Sequence, residues 1–430
     1  MADKKRIILV GIDGAPFTLL RDFIASGVMP NLQKLESQGT LSRMAAPLPD
    51  NSAVSWSSIM TGKNPGEHGI FGFTDIIPNT YTMHFPNFLS IQAETFWQRE
   101  PDKKYVIINL PFTYPVQTIN GYMVSGFVSP NMEKSVYPEQ FLDYLKKNDY
   151  QIDADTRKIY QSKQMFLNSL FQVHKNRVQV YRTIWDEVDW DVFMIVFTGT
   201  DRLGHYFQDV LEKKESEYYD SYLEYYRKID EEIGWITDQK NDNDILMMMS
   251  DHGMERITAE VHLNTYLEQN GFLDLSKSER INYNNITNTT KAFVLEPARI
   301  HLNYASQYPN GKVTKEDREP IIRDLTDLFQ DLSYPDSNET IIAEVVRKEE
   351  IYSGDQMEHA PDLLLVSHKG FSLRGTLGKR EIFSQSDTIK GMHRGDDAFL
   401  YVHGSNAASA VPENPKTEDI LPIVNTMKGE

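Results

Sequence analysis

Three apolar runs constrain this chain most, because each has the length of one strand and each leads toward an acidic residue. RIILVGI (6–12) runs into Asp13, DILMMMS (244–250) runs into Asp251, and DVFMIVF (191–197) ends shortly before Asp201. A continuous apolar run suits a parallel strand buried on both faces, whereas a half-exposed strand would alternate. KYVIINLP (104–111) and AFLYVHG (398–404) read as two further strands. Between the runs at 191–197 and 244–250, Tyr222, Tyr226, Ile229, Ile233 and Ile236 recur at spacings of four and three. That period predicts an amphipathic crossover helix laid on a sheet. The expectation is an α/β fold with a mostly parallel central sheet, whose strand ends share one edge and gather residues distant in sequence.

At 430 residues the chain is long for one compact domain, which favours a large core carrying an insertion. The stretch between Asp251 and His393 exceeds a simple connection and contains its own strand-like ARIHLNY and helix-like KEDREPIIRDLTDLFQDL. We expect residues 1–261 and 366–430 to form the core and 262–365 an inserted cap subdomain, of the kind that sets substrate access. Residues near 71–165 form a second elaboration of the core.

Charge and composition exclude several classes of function. A formal net charge of -18 disfavours a nucleic-acid surface or an anionic membrane as partner, because phosphates are repelled over most of the exterior. With no cysteine, a disulfide scaffold and thiolate metal sites are excluded, so a metal must use His, Asp or Glu. No run approaches the roughly 20 apolar residues of a membrane span. The start, MADKKRIILVGIDG, has no leader-like apolar region and cleavage site, and a cytoplasmic location is expected.

Chemistry-bearing residues collect at the strand ends. Asp201 and His205 are four apart, so one helical turn directs both to the same side, with Gly204 permitting close approach. Asp251 and His252 follow one strand directly, and His393 precedes another. Singly, each has an ordinary reading: an Asp after a strand caps a helix, and a helical His makes a hydrogen bond. Together, three Asp and three His supply two sets of three oxygen and nitrogen ligands, the complement of two divalent cations with open positions. The segment PDNSAVSWSSIMTGKNPGEHGI (49–70) adds Ser52, Ser55, Ser57 and Ser58 without a G-x-S-x-G elbow or an adjacent histidine. A serine reacting here needs another means of losing its proton.

GIDG, SAVSWSSIMTGKNPGEHGI, TDRLGH, SDHGM and MHRG, in this order, resemble the alkaline phosphatase superfamily, specifically its type I phosphodiesterase/nucleotide pyrophosphatase branch. The resemblance continues through NLPFTYPVQTINGYMVSGFVSP, ARIHLNY, EEIYSGDQMEHAPDLLL and TEDILPIVNTMKG, and so covers nearly the whole chain. It implies a three-layer, alkaline-phosphatase-like core. It implies further that the nucleophile, nine residues before the TG, is Ser52. One cation would be held by Asp201, His205 and His393, and another by Asp13, Asp251 and His252 with Ser52 bound to it. Zinc is the first expectation and manganese the alternative. Ser52 would start a helix whose exposed N–H groups favour a phosphoryl group, although capping that helix is its ordinary role.

The activity so implied is hydrolysis of a small-molecule phosphodiester or pyrophosphate through a covalent phosphoserine on Ser52. A phosphomonoesterase, phosphonate hydrolase or sulfatase would use the same site, and a non-catalytic metal-binding protein is the alternative from another class. Oligomeric state is not legible in the sequence.

Overall fold

The computed structural model describes residues 5–335, 337 and 339–429; Met1–Lys4 of the N-terminal stretch lie outside them. Two compact units emerge. The first comprises Met1–Lys63, Asn87–Glu255 and Thr388–Glu430, and the second Asn64–Pro86 and Arg256–Asp387.

The first unit is built on an eight-stranded sheet. In chain order its strands are β1 (Ile7–Ile12), β2 (Gly39–Met44), β3 (Tyr105–Leu110), β4 (Gly121–Ser125), β5 (Val136–Tyr137), β6 (Val192–Phe197) and β7 (Ile245–Met249). A short strand outside this sheet, β8 (Gly391–Arg394), precedes the eighth member, β9 (Ala398–His403). Their spatial order is β2-β9-β7-β1-β6-β3-β4-β5. The five central strands, β7 to β4, run parallel, while β9 and β5 are antiparallel to their neighbours. All five apolar runs read from the sequence are strands of this sheet, and β1, β3, β6 and β7 are buried along their whole length.

Alternate residues of each central strand point to opposite faces. Ile8, Val10, Phe193, Ile195, Leu246 and Met248 enter one core with helix α1 (Phe17–Ala25), helix α3 (Lys163–Glu187) and helix α5 (Tyr219–Gln239). The α5 stripe predicted from its period, Tyr222, Tyr226, Ile229, Ile233 and Ile236, is buried there. Helix α2 (Ser52–Thr61) lies over the other face, where Trp56 packs so closely on Gly11 that a Cβ would come within 2.5 Å of its ring. Helices on both sides of the sheet make three layers. Register brings the working ends flush: Ile12 pairs with Phe197, and Gly11 with Met249. The residues after β7, β1 and β6 therefore emerge side by side.

The second unit has its own core and its own sheets. Ala292–Leu295, Arg299–Leu302, Leu363–Ser367 and Ile342–Arg347 form an antiparallel sheet in that order. The expected strand in ARIHLNY and the helix Arg318–Gln330 are both present. Asn64–Pro86 joins this unit through contacts distant in sequence, such as the Arg299 guanidinium donating to the Thr74 carbonyl at 2.7 Å. Among the described residues, no helix is long and apolar enough to cross a membrane.

His68 closes the short helix Pro65–His68 of this unit, and its Nδ1 accepts a hydrogen bond from the Ile70 amide at 3.1 Å. Full burial pushes its pKa down from 6.5 to about 3. Between those values the unfolded chain binds a proton that the folded ring refuses, so this group's contribution is complete above pH 6.5 and is lost as pH falls. His68→Asn retains an acceptor for Ile70 and removes the titrating ring. Denaturant unfolding across this window is expected to show the wild type losing stability relative to the variant as the solution is acidified.

Candidate metal centre

Ser52 occupies the first position of α2, and the residue before it, Asn51, is the N-cap, accepting from the Val54 amide at 3.3 Å. Capping is therefore done by Asn51, which leaves the Ser52 hydroxyl for another role. The Ser52 and Ala53 amides, at the first two helical positions, precede the intrahelical ladder and carry the positive end of the helix dipole. The Ser52 Oγ lies 3.1 Å from His252 Nε2.

Asp201 and His205 sit on helix α4 (Gly199–Phe207), which starts two residues after β6. The Thr200 hydroxyl donates to the Asp13 carbonyl at 2.6 Å and ties this helix to the end of β1. His393 arrives on β8, which reaches α4 because Gly391 lacks a side chain: a Cβ there would strike the Gly204 carbonyl. Gly204, read from the sequence as a point of close approach, is crowded by another residue: a Cβ there would lie 2.7 Å from the Met254 side chain. Two groups of three ligand atoms result, Asp201 with His205 and His393, and Asp13 with Asp251 and His252, the atoms of each group within 4.8 Å of one another. The groups adjoin, since the His252 and His393 rings stack with centroids 3.7 Å apart.

Every one of the six side chains is held from behind by a protein group. His205 Nδ1 faces the Gly391 carbonyl at 2.9 Å, His393 Nδ1 the Asp50 carbonyl at 2.8 Å, and His252 Nδ1 the Gly253 carbonyl at 2.9 Å. A carbonyl only accepts, so each Nδ1 carries a proton, and a ring with no second proton presents the lone pair of Nε2. The carboxylates follow the same plan. Asp13 Oδ2 accepts from the Trp56 indole N–H at 3.0 Å, Asp251 Oδ1 from the Gly14 amide at 3.0 Å, and Asp201 Oδ2 from Arg202 at 2.8 Å. The opposite oxygens, Asp13 Oδ1, Asp251 Oδ2 and Asp201 Oδ1, are buried and receive no hydrogen bond.

Lone pairs consequently face lone pairs. His205 Nε2 and His393 Nε2 are 3.1 Å apart, and Asp201 Oδ1 lies 3.2 Å and 3.5 Å from them. His252 Nε2 lies 3.2 Å from Asp251 Oδ2. Protons or cations must fill these gaps. Burial, reinforced by Asp251 and Asp201, pushes Asp13 well above the usual carboxylate range, and burial with the charge of Asp201 raises Asp251 to about 7. Burial also opposes ionisation of Asp201, but His205, His393 and Arg202 outweigh it and hold that carboxyl low. Burial disfavours a charged His393, yet its contacts with Asp201 raise its pKa. His252 is driven down by burial and by the charge of His393. Orphaned oxygens opposite neutral imidazole nitrogens, each fixed by a supporting hydrogen bond, fit divalent cations with mixed O and N ligands.

A family model described as type I phosphodiesterase / nucleotide pyrophosphatase matches residues 7–396. No curated protein matches the chain. Among solved structures, phosphonoacetate hydrolase from Sinorhizobium meliloti, seen with phosphonoacetate and with phosphonoformate, superposes with a TM-score of 0.65 at 14% identity, covering 98% of this chain and 95% of that one. Murine ectonucleotide pyrophosphatase / phosphodiesterase 5, one structure being an inactive variant in complex with AMP, superposes with a TM-score of 0.56 at 12% identity, covering 99% and 95%. The human protein of that name gives 0.55 at 13% identity, with the same coverage. At these identities the likeness is one of fold, an alkaline-phosphatase-like α/β architecture around a mostly parallel sheet.

Gly14 supports this centre in a strained place. Its φ is +66°, and a Cβ there would lie 2.9 Å from the Asp201 Cα. Gly14→Ala is expected to lower the unfolding free energy by about 1–3 kcal/mol, the usual range for a residue forced into left-handed backbone, as measured by denaturant titration.

Proposed function

We propose, because this chain belongs to the type I phosphodiesterase / nucleotide pyrophosphatase family and is on that account a phosphoric ester hydrolase, that it cleaves a small-molecule phosphodiester or pyrophosphate with Ser52 as nucleophile. One observation carries this reading: Ser52 Oγ stands 3.1 Å from His252 Nε2, at the rim of six ligand atoms left open by pinned side chains. Asp201, His205 and His393 would hold one divalent cation and Asp13, Asp251 and His252 the other. Such cations, zinc first and manganese as the alternative, supply the positive charge that lowers the pKa of a serine hydroxyl and offsets charge on phosphoryl oxygens.

This chain's own residues do the rest. The start of α2 presents the Ser52 and Ala53 amides to a phosphoryl oxygen, so the substrate is oriented by the same helix that carries the nucleophile. Ser52 Oγ attacks phosphorus, the bond to the leaving oxygen breaks, and the phosphoryl group rests on the serine. Water then cleaves the phosphoserine and restores the hydroxyl. Because Asn51 takes the capping bond to Val54, Ser52 can form and lose this ester without unravelling the helix end.

Ser52→Ala removes the nucleophile and leaves the ligand set in place. Turnover of bis(p-nitrophenyl) phosphate is expected to fall by at least about 10³-fold at unchanged metal content measured by elemental analysis, and retained activity would refute the covalent route. Parallel assays of p-nitrophenyl phosphate, p-nitrophenyl sulfate and phosphonoacetate separate the diesterase from its rivals, and dialysis against a chelator is expected to abolish turnover until zinc or manganese is returned.

A further inference from the structure

The three carboxylates of the centre are pinned by donors of different charge. Asp13 and Asp251 are held by neutral groups, the Trp56 indole and the Gly14 amide. Asp201 is held by a guanidinium, Arg202 Nη1 lying 2.8 Å from Oδ2. Arg202 is clamped in turn. Its Nε and Nη2 both donate to Asp153 Oδ2, at 2.9 Å and 2.7 Å, and its guanidinium lies 4.5 Å from the centre of the Phe127 ring. Only 16% of its side chain and 22% of Asp153 are exposed.

Geometry and charge have separate consequences here. A guanidinium fixed on three sides lets the Asp201 carboxyl adopt one rotation, in which Oδ2 is consumed and Oδ1 faces His205 and His393. Left alone, that positive charge would also repel a cation bound by Oδ1. Asp153 offsets it at hydrogen-bond distance, so the pair can orient Asp201 with little net field at the ligand atoms.

We propose that Arg202 and Asp153 act together as positioning residues that set the cation affinity of the Asp201, His205 and His393 group, and not that of the Asp13, Asp251 and His252 group. The inference rests on the two-cation reading above. Arg202 supplies the orientation and Asp153 supplies the charge balance.

Cobalt titration of the metal-free full chain, followed by visible absorption and by chelator competition, tests this. Wild-type protein is expected to bind two cobalt ions in resolvable phases. Arg202→Met should weaken one phase by about 10–100-fold, the usual effect of losing a group that orients a ligand, and should alter the spectrum of that phase alone. Asp153→Asn, a milder change, should weaken the same phase while its spectrum stays as in wild type, because the guanidinium still holds Asp201 in place. Unchanged affinities in both variants, or both phases weakening together, would overturn the proposal. A wild-type protein that takes up no cobalt would instead overturn the two-cation reading itself.

Discussion

Three carboxylates buried side by side cannot all keep their charge in an apolar interior unless positive charge joins them. Asp13, Asp201 and Asp251 are in that position, each 0–1% exposed, and the surrounding structure can be understood as the apparatus that makes the arrangement tolerable. Each carboxylate has one oxygen satisfied by an N–H donor, and each imidazole has its Nδ1 proton engaged by a carbonyl. What remains is a set of ligand atoms aimed at one another, whose gaps added protons or cations must fill. The demand for positive charge is thus a property of the donors behind these side chains as much as of the side chains themselves.

The parallel sheet makes this economical in chain geometry. Flush strand ends deliver Asp13 and Asp251 as the first or second residue beyond their strands, and Asp201 within the first turn of the following helix. Ser52 comes from a helix on the opposite face, seated by the contact of Trp56 with Gly11. Trp56 both anchors α2 on the sheet and donates to Asp13, so one side chain couples the placement of Ser52, the proposed nucleophile, to that of a candidate ligand.

Much of this was legible because it depends on residue type at short range. Apolar runs gave the central strands, and the period of Tyr222 to Ile236 gave α5. Asp201 and His205 share a face because they are four apart, and the structure groups them with His393. Ser52 and Trp56 have the same spacing, so the sequence held a signal that an indole shares the serine's helical face, although not what it bonds. Asn51 and Ser52 are equally good capping residues, and only backbone angles decide between them. The carbonyls of Asp50, Gly253 and Gly391 were invisible, since a backbone acceptor carries no residue identity. Arg202 stood beside Asp201 in plain view, yet its role depends on Asp153, 49 positions away. The attachment of Asn64–Pro86 to the second unit likewise arises from contacts more than 200 positions apart.

The strand β9 has a bearing on how the molecule is made. It lies between β2 and β7 in the sheet, although its residues, 398–403, come after those of every other strand of that sheet in the chain. Until they emerge, β2 and β7 each have an unpaired edge where β9 will lie, and His393 is made only a few residues before them. Five of the six ligands exist by residue 252, but the group containing Asp201 and His205 stays open for some 140 more residues of elongation. Chain order therefore separates the two groups: Asp13, Asp251 and His252 are all present by residue 252, whereas the other group is complete only when the segment carrying His393 and β9 has been added.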